Sequence, residues 1–216
     1  MIVSPGRRYI FVHIPKTGGT SLAAALEARA MKDDILIGDT PKAVRRRGRL
    51  KGLSARGRLW KHATLADIEG VLPDDVLSDC LVVTLVRNPW DRMVSYYHWL
   101  QAQSFAHPAV ALSKDLPFAG FLAHPTIRTS IASAPYASYV TGSTGLEAPT
   151  LFLRLETLAD DIGAFEDHLG FALEIGHENA SARAADWRSY YDDMTAALVA
   201  EDCATDIARF GYRFDP

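Results

Sequence analysis

Three stretches of the chain carry an apolar run of strand length, then a polar turn, then apolar positions at helical spacing. Tyr9-Ile-Phe-Val-His-Ile14 opens the first, which continues through a glycine turn into Leu22-Ala-Ala-Ala-Leu26 and predicts a βα unit over about residues 8–31. Cys80-Leu-Val-Val-Thr-Leu-Val86 is nearly continuous and rich in β-branched residues, as a strand covered on both faces would be. The helix after it, ending near residue 101, would bury Trp90, Met93, Val94, Tyr97 and Leu100. Thr150-Leu-Phe-Leu-Arg-Leu155 reads as another buried strand, followed by a helix from Asp160 to Gly170 through Ile162, Phe165 and Leu169. A last helical region spans Tyr190 to Phe210, with Met194, Leu198 and Ile207 on its apolar stripe. Residues 61–72 end with helical spacing, and Phe105 to Pro149, broken by Pro and Gly, reads as short helices and loops. Strands alternating with helices predict an α/β fold with a mainly parallel sheet. Such sheets bind ligands at the carboxyl ends of their strands.

The first turn is Pro15-Lys-Thr-Gly-Gly-Thr-Ser21. It sets backbone N–H groups, Lys16 and the hydroxyls of Thr17, Thr20 and Ser21 at the positive end of a helix, a setting that favours anions and phosphates above all. Gly18 and Gly19 let the backbone approach a ligand closely. The order is not that of a Walker A loop, in which lysine follows the last glycine; here Lys16 precedes both. Alone, this pattern also fits an ordinary βα connection.

The second turn is Arg87-Asn-Pro-Trp-Asp91, with Asn88 as N-cap, Pro89 at the first helical position and Asp91 in the first turn. Ser95 lies roughly 10 Å along that helix from its cap. Arg87 and Ser95 could grip two sides of one phosphate. Separately, each reads as well as a salt-bridged arginine and a serine on a solvated face.

Together, Pro15–Ser21 and Arg87-Asn-Pro-Trp-Asp-Arg-Met-Val-Ser95 resemble the two nucleotide motifs of the sulfotransferases that use PAPS, 3'-phosphoadenosine 5'-phosphosulfate. The wording is most similar to the carbohydrate-type branch that includes heparan sulfate 2-O-sulfotransferase. Leu153-Arg-Leu-Glu156, His177-Glu-Asn-Ala-Ser181 and Asp206 to Phe214 agree more weakly. The resemblance implies a three-layer, P-loop-like α/β sandwich with a mainly parallel central sheet flanked by helices, forming one domain over 1–216. It implies PAPS as co-substrate, PAP (the desulfated donor) as product, and no metal. Lys16, Thr17, Gly18, Gly19, Thr20 and Ser21 would hold the 5'-phosphosulfate, with Lys16 also catalytic, and Arg87 and Ser95 the 3'-phosphate. His62, between the two motifs where related enzymes carry a catalytic histidine, would be the general base, its ordinary pKa near 6.5 suiting neutral pH. His13 reads as structural and His98 as a surface residue.

Composition adds limits. With 48% apolar residues and a net charge of −3, the chain suits an ordinary globule. No apolar stretch approaches the ~20 residues of a membrane span, and the N-terminus has no secretory pattern, so a cytoplasmic, bacterial enzyme is the simpler expectation. Cys80 and Cys203 read as buried thiols, and the seven histidines show no metal-ligand spacing. Between Lys42 and Lys61 lie nine basic residues and no acid, leaving −12 for the rest. This segment reads either as a solvated loop or as a basic lip drawing an anionic acceptor, a hydroxyl-bearing glycan, to the cleft; no motif supports nucleic acid. Two other readings stay open at this point: a nucleotide kinase, which lacks its Walker lysine here, and a non-catalytic module that binds PAP.

Overall fold

The structure, a computed structural model, describes residues 1–176, 184 and 186–215. In chain order its elements are β1 (Ile2–Ser4), β2 (Tyr9–Val12), α1 (Gly19–Ala28), β3 (Ile35–Leu36), α2 (Pro41–Arg46), α3 (Leu65–Ile68), α4 (Asp74–Ser78) and β4 (Leu81–Val86). Then come α5 (Pro89–Gln101), α6 (Pro108–Asp115), α7 (Phe118–Ala123), α8 (Pro125–Ala132) and α9 (Tyr136–Tyr139). The chain continues through β5 (Thr150–Arg154), α10 (Leu158–Asp161), α11 (Gly163–Leu169), α12 (Asp193–Asp202) and α13 (Ala204–Phe210). It divides into two compact units, Met1–Val86 with Tyr136–Asn179, and Arg87–Pro135 with Ala180–Pro216.

The first unit holds the five-stranded sheet, in the order β3-β1-β2-β4-β5. The longer pairings, β2 with β4 and β4 with β5, are parallel; β1 runs antiparallel to both β2 and β3. The expected α/β fold with a mainly parallel central sheet is therefore present. One face carries Tyr9, Phe11, Val83, Leu85 and Leu153, packed with Leu22 and Leu26 of α1 and with Ile162, Phe165 and Leu169. Tyr9 meets Phe165 edge to face at 5.5 Å between ring centroids. The alternate residues Ile10, Val12, Val82, Thr84 and Val86 are buried too, so the sheet is covered on both faces. β5 is an edge strand and Thr150, Leu151 and Phe152 are only half-buried, less than the apolar run predicted.

β1 and β3 are not visible in the hydrophobic pattern. At three and two residues they are too short for periodicity to register, and their pairing partners fix them. The basic segment contains structure as well. Thr40 caps α2 by accepting from the Ala43 N–H at 3.1 Å, with Pro41 at the first helical position, and a 3-10 turn follows over Arg47–Gly52.

The second unit is built on α5, whose predicted face is buried in full: Trp90, Met93, Val94, Tyr97 and Leu100. Asn88 accepts from the Trp90 N–H at 3.1 Å, the expected cap, worth about 1 kcal/mol. Trp90 is tied by its own indole N–H to the Ala196 carbonyl at 2.9 Å, and its carbonyl accepts from the Tyr191 hydroxyl at 2.8 Å. His98 is half-buried with its ring against Tyr97 and Tyr190, which corrects its reading as a surface residue.

The predicted C-terminal helix is also corrected. It is two helices broken at Cys203, and Met194 is 65% exposed while Leu198 and Ile207 are half-buried. The buried line runs through Thr195, Val199, Cys203 and Phe210 instead. A capping box between Asp192 and Thr195 sets this phase: the Thr195 N–H donates to Asp192 at 2.8 Å and the Asp192 N–H to the Thr195 hydroxyl at 2.9 Å. Cys80 and Cys203 are buried free thiols, as expected, and burial pushes Cys203 up to about 12.

Candidate active site

The turn from β2 into α1 begins at a strand end whose neighbour is the parallel strand β4. Two residues of the turn lie in the left-handed region, Lys16 at φ 66° and Gly18 at φ 84°. A non-glycine residue there is strained by about 1–3 kcal/mol, and such strain gathers at functional sites. Gly18 is the N-cap of α1 and, lacking a side chain, gives no capping hydrogen bond; the first turn of α1 holds no acid. The positive end of this ten-residue helix thus has neither a side-chain cap from its N-cap residue nor an acid in its first turn.

Both glycines are demanded by the surrounding protein. A Cβ on Gly18 would stand 2.5 Å from Leu155, and one on Gly19 2.5 Å from the His13 ring. The close approach foreseen for a ligand is in each case an approach to a protein side chain. Gly18→Ala combines that clash with an unfavourable φ, and a loss of more than ~2 kcal/mol is expected. Thermal unfolding read by circular dichroism should fall by roughly 4 °C or more; an unchanged melting point would show that Leu155 gives way.

Thr17 is fully buried and its hydroxyl donates to the Ile14 carbonyl at 2.9 Å, which anchors the turn and leaves the residue's backbone N–H as its offering to an anion. Thr20 and Ser21 are half-buried on the first turn of α1.

The same unit brings His62 to this turn. Its Nδ1 lies 2.7 Å from the His13 carbonyl. A carbonyl can only accept, so Nδ1 carries the proton and Nε2 is left as a lone pair. The His62 ring meets His13 at 4.8 Å and Trp60 at 5.2 Å between centroids, both edge to face. Burial pushes the His62 imidazole down to about 4, against the opposing effect of the His13 carbonyl. Burial likewise holds His13 well below the usual range. The ordinary histidine value expected from the sequence is thus replaced by a ring that is neutral throughout the physiological range. Neighbouring Lys61 pairs with Asp39 at 2.6 Å.

In the second unit, Arg87 is mostly buried and directs Nε and one terminal nitrogen to Asp91, at 2.8 and 2.7 Å. An i, i+4 pair of this kind holds the guanidinium in one orientation at the start of α5. Ser95 is buried on the same helix. The basic segment is more structural than its charge suggested. Lys42 donates to the Glu27 carbonyl, Arg46 to the Met31 carbonyl at 2.7 Å and Arg49 to the Lys32 carbonyl at 2.6 Å. Arg45, Arg47 and Lys51 are exposed. The His177–Ser181 motif lies outside the described residues.

No protein-family profile matches the sequence, and no curated protein matches it. Among solved structures, the chain is similar to the mouse sulfotransferase SULT7A1, crystallised with PAP. The match covers 94% of this chain and 87% of that one, at 17% identity and a TM-score of 0.45. At that score the likeness says nothing of what this chain binds. Among the described residues no group of three His, Cys, Asp or Glu side chains is placed to hold a metal ion, and no helix is long and apolar enough to cross a membrane.

Proposed function

We propose that the chain is a PAPS-dependent O-sulfotransferase, a single functional domain over 1–216, acting on a hydroxyl of an acceptor, a carbohydrate by its resemblance to the carbohydrate-type branch. The observation that carries this reading is the β2–α1 turn. A strained lysine and a helix end with glycine as its cap and no acid in its first turn stand in the same unit as a histidine whose tautomer leaves a lone pair at Nε2. An ordinary βα connection needs none of these three.

In this reading the turn amides from Thr17 to Ser21, with Gly18, Gly19 and Thr20 between them, hold the 5'-phosphosulfate. Arg87 and Ser95 hold the 3'-phosphate, as the sequence resemblance assigns them. Chemistry follows by analogy with phosphoryl transfer, in which positioning and electrostatic stabilisation dominate. The acceptor oxygen forms a bond to sulfur as the bond from sulfur to the 5'-phosphate oxygen breaks. The acceptor proton passes to His62 Nε2, and the negative charge reaching the phosphate oxygen is met by Lys16 and the turn amides. Exposed Arg45, Arg47 and Lys51 would favour an anionic acceptor through their field.

Calorimetry with PAP, followed by transfer of label from [35S]PAPS to a panel of glycans, small glycosides and tyrosyl peptides, tests the proposal. Binding of PAP and labelling of a glycan are expected; no uptake of PAP by the folded protein would end the reading. Binding without labelling of any acceptor would favour the non-catalytic module.

Arg87→Ala should raise the donor KM by roughly tenfold or more, since charge-assisted bonds to phosphate contribute about 1.5–3 kcal/mol each. The preference for PAPS over adenosine 5'-phosphosulfate should shrink by a similar factor. A preference that survives intact would remove Arg87 from the 3'-phosphate.

A further inference from the structure

His13 does more than fill the core. We infer that it is the positioning residue of this site: its ring seats Gly19 at the entry to α1, and its carbonyl decides which nitrogen of His62 is left as a base. The catalytic meaning rests on the transferase reading, whereas the positioning itself can be measured without any activity.

Three observations converge on this residue. The ring is 7% exposed and lies so close to Gly19 that a Cβ there would stand 2.5 Å from Cδ2 and 2.8 Å from Nε2. Phe11 stacks on it at 5.8 Å and the His62 ring abuts it at 4.8 Å, and it also lines a small cavity with Thr20, Ala23 and Glu27. Its main chain holds His62 by the 2.7 Å bond at Nδ1. The ring of His13 therefore touches the helix entry at Gly19, and its main chain touches the histidine beside it.

The charged and titratable groups around the two rings are Lys61 and Asp39, which pair with each other, Lys16, the Met1 amino group, and Glu27, which lines a cavity with His13. Burial is the largest influence keeping His62 neutral; the charges of Lys61 and the Met1 amino group act with it and that of Asp39 against it. Removing the His13 ring admits water, and the His62 titration should rise toward the ordinary histidine range.

Two measurements test the inference. Long-range 1H–15N spectra of the nucleotide-free protein should show His62 protonated at Nδ1. In His13→Ala its midpoint should move up by more than one pH unit. A wild-type His62 protonated at Nε2, or a midpoint unmoved in the variant, would overturn the assignment. In PAP calorimetry, Gly19→Ala should weaken binding by roughly tenfold, as overpacking of a closed site does. The double variant His13→Ala/Gly19→Ala should recover most of that loss. Wild-type binding by Gly19→Ala, or a double variant no better than the single one, would also overturn it. His13→Val serves the same comparison should the alanine variant not fold. Failure of the wild-type protein to bind PAP would count against the transferase reading alone and leave the spectra to decide on His13.

Discussion

Lys16→Ala is expected to lower kcat by roughly 10²–10³, the loss seen when one preorganised group facing developing charge is removed. Its effect on PAP affinity should be smaller, within about tenfold. The difference arises because Lys16 is assigned to charge that appears only as the sulfur–oxygen bond breaks, and an interaction stronger in the transition state raises kcat. The backbone makes this a clean experiment. Lysine and alanine both carry a Cβ, so both bear similar strain at φ 66°, and the substitution removes the ammonium without relaxing the turn. Lys16→Gly is the complementary variant: it should lower kcat at least as much while the melting temperature holds or rises, because the strain is relieved. Single-turnover rates and PAP calorimetry on the same preparations separate the two effects. Equal losses in rate and affinity would make Lys16 a binding residue only.

His62→Ala should lower kcat by roughly 10²–10⁴, the usual range for a general acid or base. The pH dependence is the sharper test. A base must be deprotonated to act, so activity is retained above its pKa and falls as pH drops through it. For the free enzyme that fall in kcat/KM is expected near pH 4, where burial holds His62, and not near 6.5. A bound anion favours the charged imidazolium, so the corresponding fall in kcat should lie at a higher pH than that in kcat/KM. Both limbs should vanish in His62→Ala. Retention of wild-type turnover, or of the acid limb, would assign the base elsewhere. A weak base is adequate for such a reaction if its transition state is loose, because the acceptor then gives up its proton late.

How far the sequence foretold this arrangement depends on the range over which each feature is decided. The start of α5 was fully legible: Asn88 caps, Pro89 opens the helix and the spacing from Trp90 to Leu100 marks its buried face. The β2–α1 turn was legible as a strand-to-helix connection, since an apolar run, two glycines and an Ala- and Leu-rich stretch follow one another locally. The left-handed Lys16, by contrast, carries no composition signal of its own. β1 and β3 escaped notice because two or three residues hold no period. Cys203 breaks a stretch that reads as one helix, and the capping of Asp192 by Thr195 turned the buried stripe away from Met194. The capping of α2 was missed although Thr40-Pro41 is a start signal, because the surrounding charge suggested a loop. The titration of His62 was beyond sequence reasoning for a different reason. Its environment comes from His13, Trp60 and Asp39, up to 49 residues away along the chain.

The contact of Gly18 with Leu155 joins positions that are remote in the chain. In a library that varies this loop, position 18 explored alone should return little but glycine. Libraries that also shrink residue 155 gain a second degree of freedom, with asparagine and aspartate the natural substitutes since both tolerate a positive φ. The room available at this turn is thus adjustable from the end of an edge strand, a position that sequence inspection of the loop would never nominate.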